Sequence, residues 1–260
     1  MAPSHGGLYG GERSPHGPAL NRGTRHNRTV TFHLPVIFMC NLADRLSGLG
    51  RLLQTLTFFQ VIPFLSVFAP MSSQPPAPPT VSNNLIVDFQ TLSAADLQAT
   101  WGSLDDVVMG GVSASRFEKT DEGALFTGTT STDNSGGFTS VRSRNFTPPL
   151  DVGNATGITL RVKGDGQRYK FFIRDQNGWD SIAYAASFDT AAQQWLTIQI
   201  PFATLKPVFR AKTVENAPPL NPREIVSFQL MLSKFEYDRA LNPQFTPGEF
   251  KLWVASIGLY

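Results

Sequence analysis

Histidine and cysteine are confined to the first 40 positions of this 260-residue chain, as His5, His16, His26, His33 and Cys40. Everything after Met71 lacks both, which excludes several kinds of site from the main body: a Ser-His-Asp or Cys-His triad, a histidine general base, a His/Cys zinc site and an intradomain disulfide. No G-x-G-x-x-G or G-K-[ST] phosphate-binding fingerprint accompanies the glycine pairs, and no D-x-D-x-D-G calcium loop is present. Strong charge is also missing. The formal net charge is +2, with six arginines against Glu12 and Asp44 before residue 71 and a mildly acidic balance after it. That balance disfavours nucleic acid as the principal partner. What remains is 41% hydrophobic and 11% aromatic, enough for a packed core.

Composition divides the chain into four stretches. Residues 1–38 are rich in Gly, Arg, His, Pro and Asn without apolar periodicity, and read as disordered or as an untranslated extension, with Met39 and Met71 as alternative starts. In 39–70, Leu42, Leu46, Leu49, Leu53 and Leu56 recur at steps of four and three with polar residues between, the pattern of an amphipathic helix. It runs into the apolar Phe58 to Pro70, which Gln60 and Pro63 make a poor membrane span. Three readings stay open for 42–69: a peripheral membrane helix, a helix packed on the main domain, and a targeting signal. Residues 71–84 form a proline-rich linker.

From residue 85 to 260 the pattern is β. Ile158, Leu160 and Val162 alternate with Thr159, Arg161 and Lys163, and after Gly164-Asp165-Gly166 the alternation resumes through Tyr169, Phe171 and Ile173, which predicts a hairpin. Further strands are expected at Leu85 to Gln90, Ala124 to Thr130, Phe138 to Phe146, Ser181 to Phe188, Trp195 to Ile200, Ile225 to Ser233 and Phe250 to Leu259. Ser93 to Thr100 is the one expected helix of the domain, capped by Ser93. Many short strands with turns between them indicate an antiparallel sandwich.

Two features stand out as candidate sites. The first is the loop "DDVVMGGVSAS", with Asp105, Asp106, Met109, Gly110, Gly111 and Ser113, together with a second glycine pair, Gly136 and Gly137, ahead of a later strand. Adjacent aspartates on extended chain point to opposite faces and do not suit a two-carboxylate glycosidase. The expected role is structural: glycines turn the backbone, while Asp106 and Ser113 hold it through nearby amides. The second is a surface of Arg142, Arg174, Asp175 and Trp179, in which charges orient and a ring stacks, the pattern of a protein- or sugar-binding face. No metal or cofactor site is expected.

The stretch W-x3-DDVVMGGVSAS from Trp101, followed by "ALFTGTTSTDNSGGFTSVRS" and "WLTIQIPFATLKPVFRAK", resembles the complex I intermediate-associated protein 30 family, and "LNPREIVSFQLMLSKFEYD" is similar to cyanobacterial and plastid members. The resemblance covers about Leu85 to the C-terminus. It implies an all-β, galactose-binding-like jelly-roll β-sandwich, here preceded by the amphipathic helix. It further implies a non-enzymatic assembly factor that binds subunits of a partially built membrane electron-transfer complex. The expected location is peripheral, on the cytoplasmic, matrix or stromal side of a membrane. The alternative is a carbohydrate-binding module of the same fold. The family brings no catalytic residues.

Overall fold

The computed structural model describes residues 50–53, 55, 58–59, 79, 81, 84–178 and 180–260, all within the compact unit Met39–Tyr260. The expectations for 1–38 and for most of 39–84 lie outside the described residues, as does Trp179.

Two antiparallel sheets face each other. In one, strands β3 (Ala114–Thr120), β4 (Gly123–Thr130), β13 (Gly248–Leu259), β6 (Gly157–Lys163) and β9 (Trp195–Pro201) lie in that order, with β1 (Leu85–Asp88) also on β13. The other runs β11 (Lys212–Thr213), β10 (Lys206–Phe209), β8 (Ala183–Asp189), β7 (Arg168–Arg174), β12 (Ser227–Ser233), β5 (Phe138–Ser143), β2 (Trp101–Ser103). The chain crosses between the sheets repeatedly, keeping to one sheet at β3–β4, β7–β8 and β10 to β12, the interleaving of a jelly roll. The period-two pattern drives this layering, because every second residue must leave water. Ile158, Leu160 and Val162 of β6 are fully buried together with Phe126 of β4 and Leu252 of β13, and they meet Tyr169, Phe171 and Ile173 of β7 and Phe228 and Leu230 of β12. Aromatic edges lock the layers, with Phe126 4.8 Å from Phe250 and 6.5 Å from Tyr169 between ring centres. Each such side chain contributes about 1.5–3 kcal/mol on burial.

The predicted hairpin is not one. β6 pairs with β9 and β13, whereas β7 pairs with β8 and β12 in the opposite sheet, so residues 164–166 cross between layers. Asp165 fixes that corner, accepting from the Gln167 amide (3.1 Å), the Tyr169 hydroxyl (3.0 Å) and the Lys251 amide (2.9 Å). A Gly-Asp-Gly turn serves either connection; distant partners decide which. The short helix Ala94–Thr100 starts where Ser93 accepts from the Asp96 amide at 3.0 Å and stops at Trp101, which is extended and packs on Phe89 and Phe117.

Of the segment ahead of the sandwich, Gly50, Arg51, Leu52, Leu53, Thr55 and Phe58 are helical. Thr55 is buried and donates to the Ser103 carbonyl at 3.1 Å, Arg51 Nη1 donates to the Ser113 carbonyl at 3.4 Å, and the Phe58 ring lies 4.1 Å from the Arg144 guanidinium. Residues 51, 55 and 58 share one helical stripe, and it faces the β2 edge of the seven-stranded sheet. Leu53, about 200° away around the helix, is exposed. Among the described residues, no helix is long and apolar enough to cross a membrane.

Candidate functional site

Alternation in the seven-stranded sheet gives it a second face, turned away from the core. Register aligns Arg142 of β5 with Gln229 of β12, Gln229 with Phe172 of β7, and Ser227 with Arg174, so these side chains share that outer face. Ser140, Met231 and Lys170 form the next row. At its centre Phe172, Ala183, Ala185 and Val208 form a small apolar cluster against Met231 and Tyr237. The structure therefore brings Arg142 and Arg174 together, as the sequence suggested, and adds Gln229, Ser140 and Lys170.

The cations on this face are strongly desolvated. Arg174 Nη1 donates to Gln229 Oε1 at 2.9 Å, while its Nε is buried without a hydrogen-bond partner. Burial pushes Arg174 down to about 9, the charge of Arg142 pushing the same way and that of Asp180 opposing. Burial also lowers Arg142 to about 10; its guanidinium donates to Asn145 Oδ1 at 3.3 Å and lies 5.8 Å from the Phe59 ring centre. Lys170 is lowered to about 8, chiefly by burial, and donates to the carbonyls of Phe235 and Glu236. Asp175 is turned elsewhere: its Oδ2 accepts from the Asn221 amide at 2.8 Å. Asp180 is held by Arg210. Arg144 stands beyond the strand end, donating to the Ala99 carbonyl at 2.8 Å beneath Phe58.

The aspartate loop lies at the edge of this face and is built from the inside. Asp106 opens a 3-10 turn and is 1% exposed. Its Oδ1 accepts from the Ser113 amide at 2.9 Å, and its Oδ2 accepts from the Ser113 hydroxyl at 2.6 Å, the Gly137 amide at 2.7 Å and the Phe138 amide at 3.3 Å. A Cβ at Gly111 or at Gly136 would overlap that carboxylate. The two glycine pairs are thus one feature: Gly111 and Gly136 make room for Asp106, Gly137 donates to it, and Gly110 and Gly137 take the left-handed φ values of +89° and +124°. Asp105 points the other way and gathers the Ser115 amide (2.8 Å), the Ser115 hydroxyl (2.6 Å) and the Ser140 amide (3.2 Å). Desolvation outweighs these bonds and raises it to about 6. Met109 is 78% exposed at the tip.

A chain of hydrogen bonds joins loop and face. Asp105 holds the Ser140 amide, the Ser140 hydroxyl donates to the Leu104 carbonyl and accepts from Gln229 Nε2 at 2.9 Å, and Gln229 Oε1 receives Arg174. No spacing rule reveals this path. Gln229 does carry a signal, since it is the polar residue between Phe228 and Leu230 in an otherwise apolar strand.

These features define a β-sandwich with a recessed, cation-bearing sheet face supported by a buried carboxylate loop. The chain belongs to the complex I intermediate-associated protein 30 family, which it matches over residues 87–254. An uncharacterized protein of Schizosaccharomyces pombe is 30% identical over 166 residues, spanning 54% of this chain and 74% of that protein. Among solved structures, a family 11 carbohydrate-binding module of a cellulosomal cellulase of Clostridium thermocellum superposes with a TM-score of 0.47 at 20% identity, covering 69% of this chain and 95% of the module. An agarase superposes with a TM-score of 0.44 at 8% identity, covering 68% of this chain and 26% of the enzyme. At these values the likenesses bring no ligand to this chain.

Proposed function

We propose that this chain is a non-enzymatic assembly factor that binds subunits of a partially built membrane electron-transfer complex of the NADH dehydrogenase type, using the outer face of its seven-stranded sheet. The observation that carries the reading is the family match, which spans most of the sandwich. The face adds a physical reason: cations set beside the apolar Phe172 and Met231 combine charge with apolar character, the mixture that protein-binding surfaces use.

Membrane proximity enters through residues 42–69. The stripe of Arg51, Thr55 and Phe58 is taken by the sandwich, and the amphipathic pattern read from the sequence over this segment is what supports peripheral contact with a bilayer. The location is the cytoplasmic, matrix or stromal side. The test is affinity purification of the tagged full chain from membranes, resolved on native gels. Capture of subunits of an incomplete complex supports the proposal; binding to glycans in place of any such subunit turns the reading to a carbohydrate-binding module.

A further inference from the structure

The six-stranded sheet has an outer face of its own, and that face holds a groove. Strand β13 changes partner along its length: up to Val254 it pairs with β4, and at Ser256 to Gly258 with β1, with Ala255 bulged between the two registers. The two neighbouring strand ends part at this bulge. On one side stand Asp88 and Gln90, at the end of β1. On the other is the turn Asp121–Glu122 ahead of β4, held close because Gly123 lies against the Val254 carbonyl, where a Cβ would collide. Register sets Asp88, Ser256, Arg161 and Thr197 in one cross-strand row, and Trp195 of β9 closes the far end. The groove has a volume of about 430 Å³, inside the roughly 300–1,000 Å³ of small-ligand clefts.

Much of this lining is available to a ligand. Among the described residues, no hydrogen bond engages the side chains of Gln90, Asp121 or Ser256, and Asp88 accepts from the Gln90 amide through Oδ1 alone, at 2.9 Å. Glu122 is paired with Lys163, and Arg161 donates to Thr197 Oγ1 at 3.2 Å. Three carboxylates against one guanidinium repel an anion. Arg161 and Lys163, 5.5 and 5.4 Å from the Trp195 ring centre, already place positive charge where a cationic ligand would stack. The lining fits a neutral molecule that carries hydroxyl pairs. Carboxylates accept from such hydroxyls, Gln90 and Arg161 donate to them, and the indole offers an apolar plate to the C–H face of a sugar ring. We infer that this groove binds a short neutral saccharide, with Trp195 as the stacking residue and Gln90 and Asp121 as hydroxyl partners. The site lies on the sheet opposite the proposed client face and does not rest on the assembly role.

The experiment is titration of the purified full chain with cellobiose, maltose and lactose, and separately with glucosamine, glucuronate and a lysine-rich peptide, followed by calorimetry and by the indole Nε1–H resonances. Saturable binding of at least one disaccharide is expected, with a shift of the indole signal that Trp195→Ala removes. Trp195→Ala should weaken binding about ten-fold or more, and Asp121→Ala, at an exposed turn where the fold does not depend on the side chain, about five- to ten-fold. Arg174→Gln, on the other sheet, should leave it unchanged. Absence of saturable binding of all three disaccharides, tighter binding of glucosamine, glucuronate or the peptide than of any disaccharide, or undiminished binding in Asp121→Ala would each overturn the inference. Saccharide binding together with capture of complex subunits leaves groove and assembly role both standing; saccharide binding without such capture keeps the groove and refutes the assembly role.

Discussion

Replacing Asp106 by asparagine keeps the shape of the side chain and changes only its chemistry. In either amide orientation the new NH2 group points at a donor, the Ser113 amide on one side or the Ser113 hydroxyl, Gly137 amide and Phe138 amide on the other. At least one buried backbone N–H loses its acceptor, at about 1–3 kcal/mol, and the bonds that survive are no longer charge-assisted. Together these give a loss of roughly 2–4 kcal/mol. For a domain of this size that lowers the melting temperature by roughly 5–15 °C, at about 2–4 °C per kcal/mol. Urea denaturation followed by tryptophan fluorescence should show a lower midpoint with an unchanged slope. A loss below about 0.5 kcal/mol would refute the claim that this carboxylate ties the loop to β5.

Asp105 behaves differently with pH: burial raises its folded value to about 6 from an ordinary 3.8, so the folded state takes up a proton first as pH falls. The sandwich therefore gains about 2 kcal/mol from this group between pH 7 and pH 4, and denaturation of Asp105→Asn across that range should lack the gain. Gly111→Val puts a side chain into the Asp106 carboxylate and should cost more than the about 1–3 kcal/mol of ordinary overpacking. Gly110→Ala, with open space around it, should cost only about 1–2 kcal/mol for its left-handed backbone, and calorimetric melting of the two variants separates them. Gly102 lies under the Phe58 ring, where a Cβ would fall 2.5 Å from Cδ1, so Gly102→Leu should speed hydrogen exchange at Arg51 and Thr55 while leaving exchange in β7 and β12 slow.

The sandwich was legible because burial imposes period two on strands such as β6, β7 and β12, and the cap at Ser93 was legible because a short polar side chain before an apolar turn has few other uses. β3 was missed: Phe117 is its one buried residue, and its remaining side chains are half-buried or exposed. The corner at Asp165 was misread because its deciding partner, the Lys251 amide, is 86 residues away. At the site, Arg142 could be placed from alternation alone. The Asp106–Ser113 bond was foreseeable from a spacing of seven residues, but the Gly137 amide and the Ser140–Gln229–Arg174 path depend on strand order, which local pattern does not contain. In the segment ahead of the sandwich, Arg51, Thr55 and Phe58 meet the domain, contacts that leucine spacing does not announce.

The central claim is that the outer sheet face holds a client of an assembling membrane complex. Tagged wild-type chain and Arg174→Gln, purified side by side from membranes and compared by quantitative identification of co-purifying proteins, test it most directly. The account predicts that subunits of an incomplete NADH-dehydrogenase-type complex accompany the wild type and fall about ten-fold or more with the variant. Recovery of no such subunits with the wild type, or equal recovery with both, would contradict it.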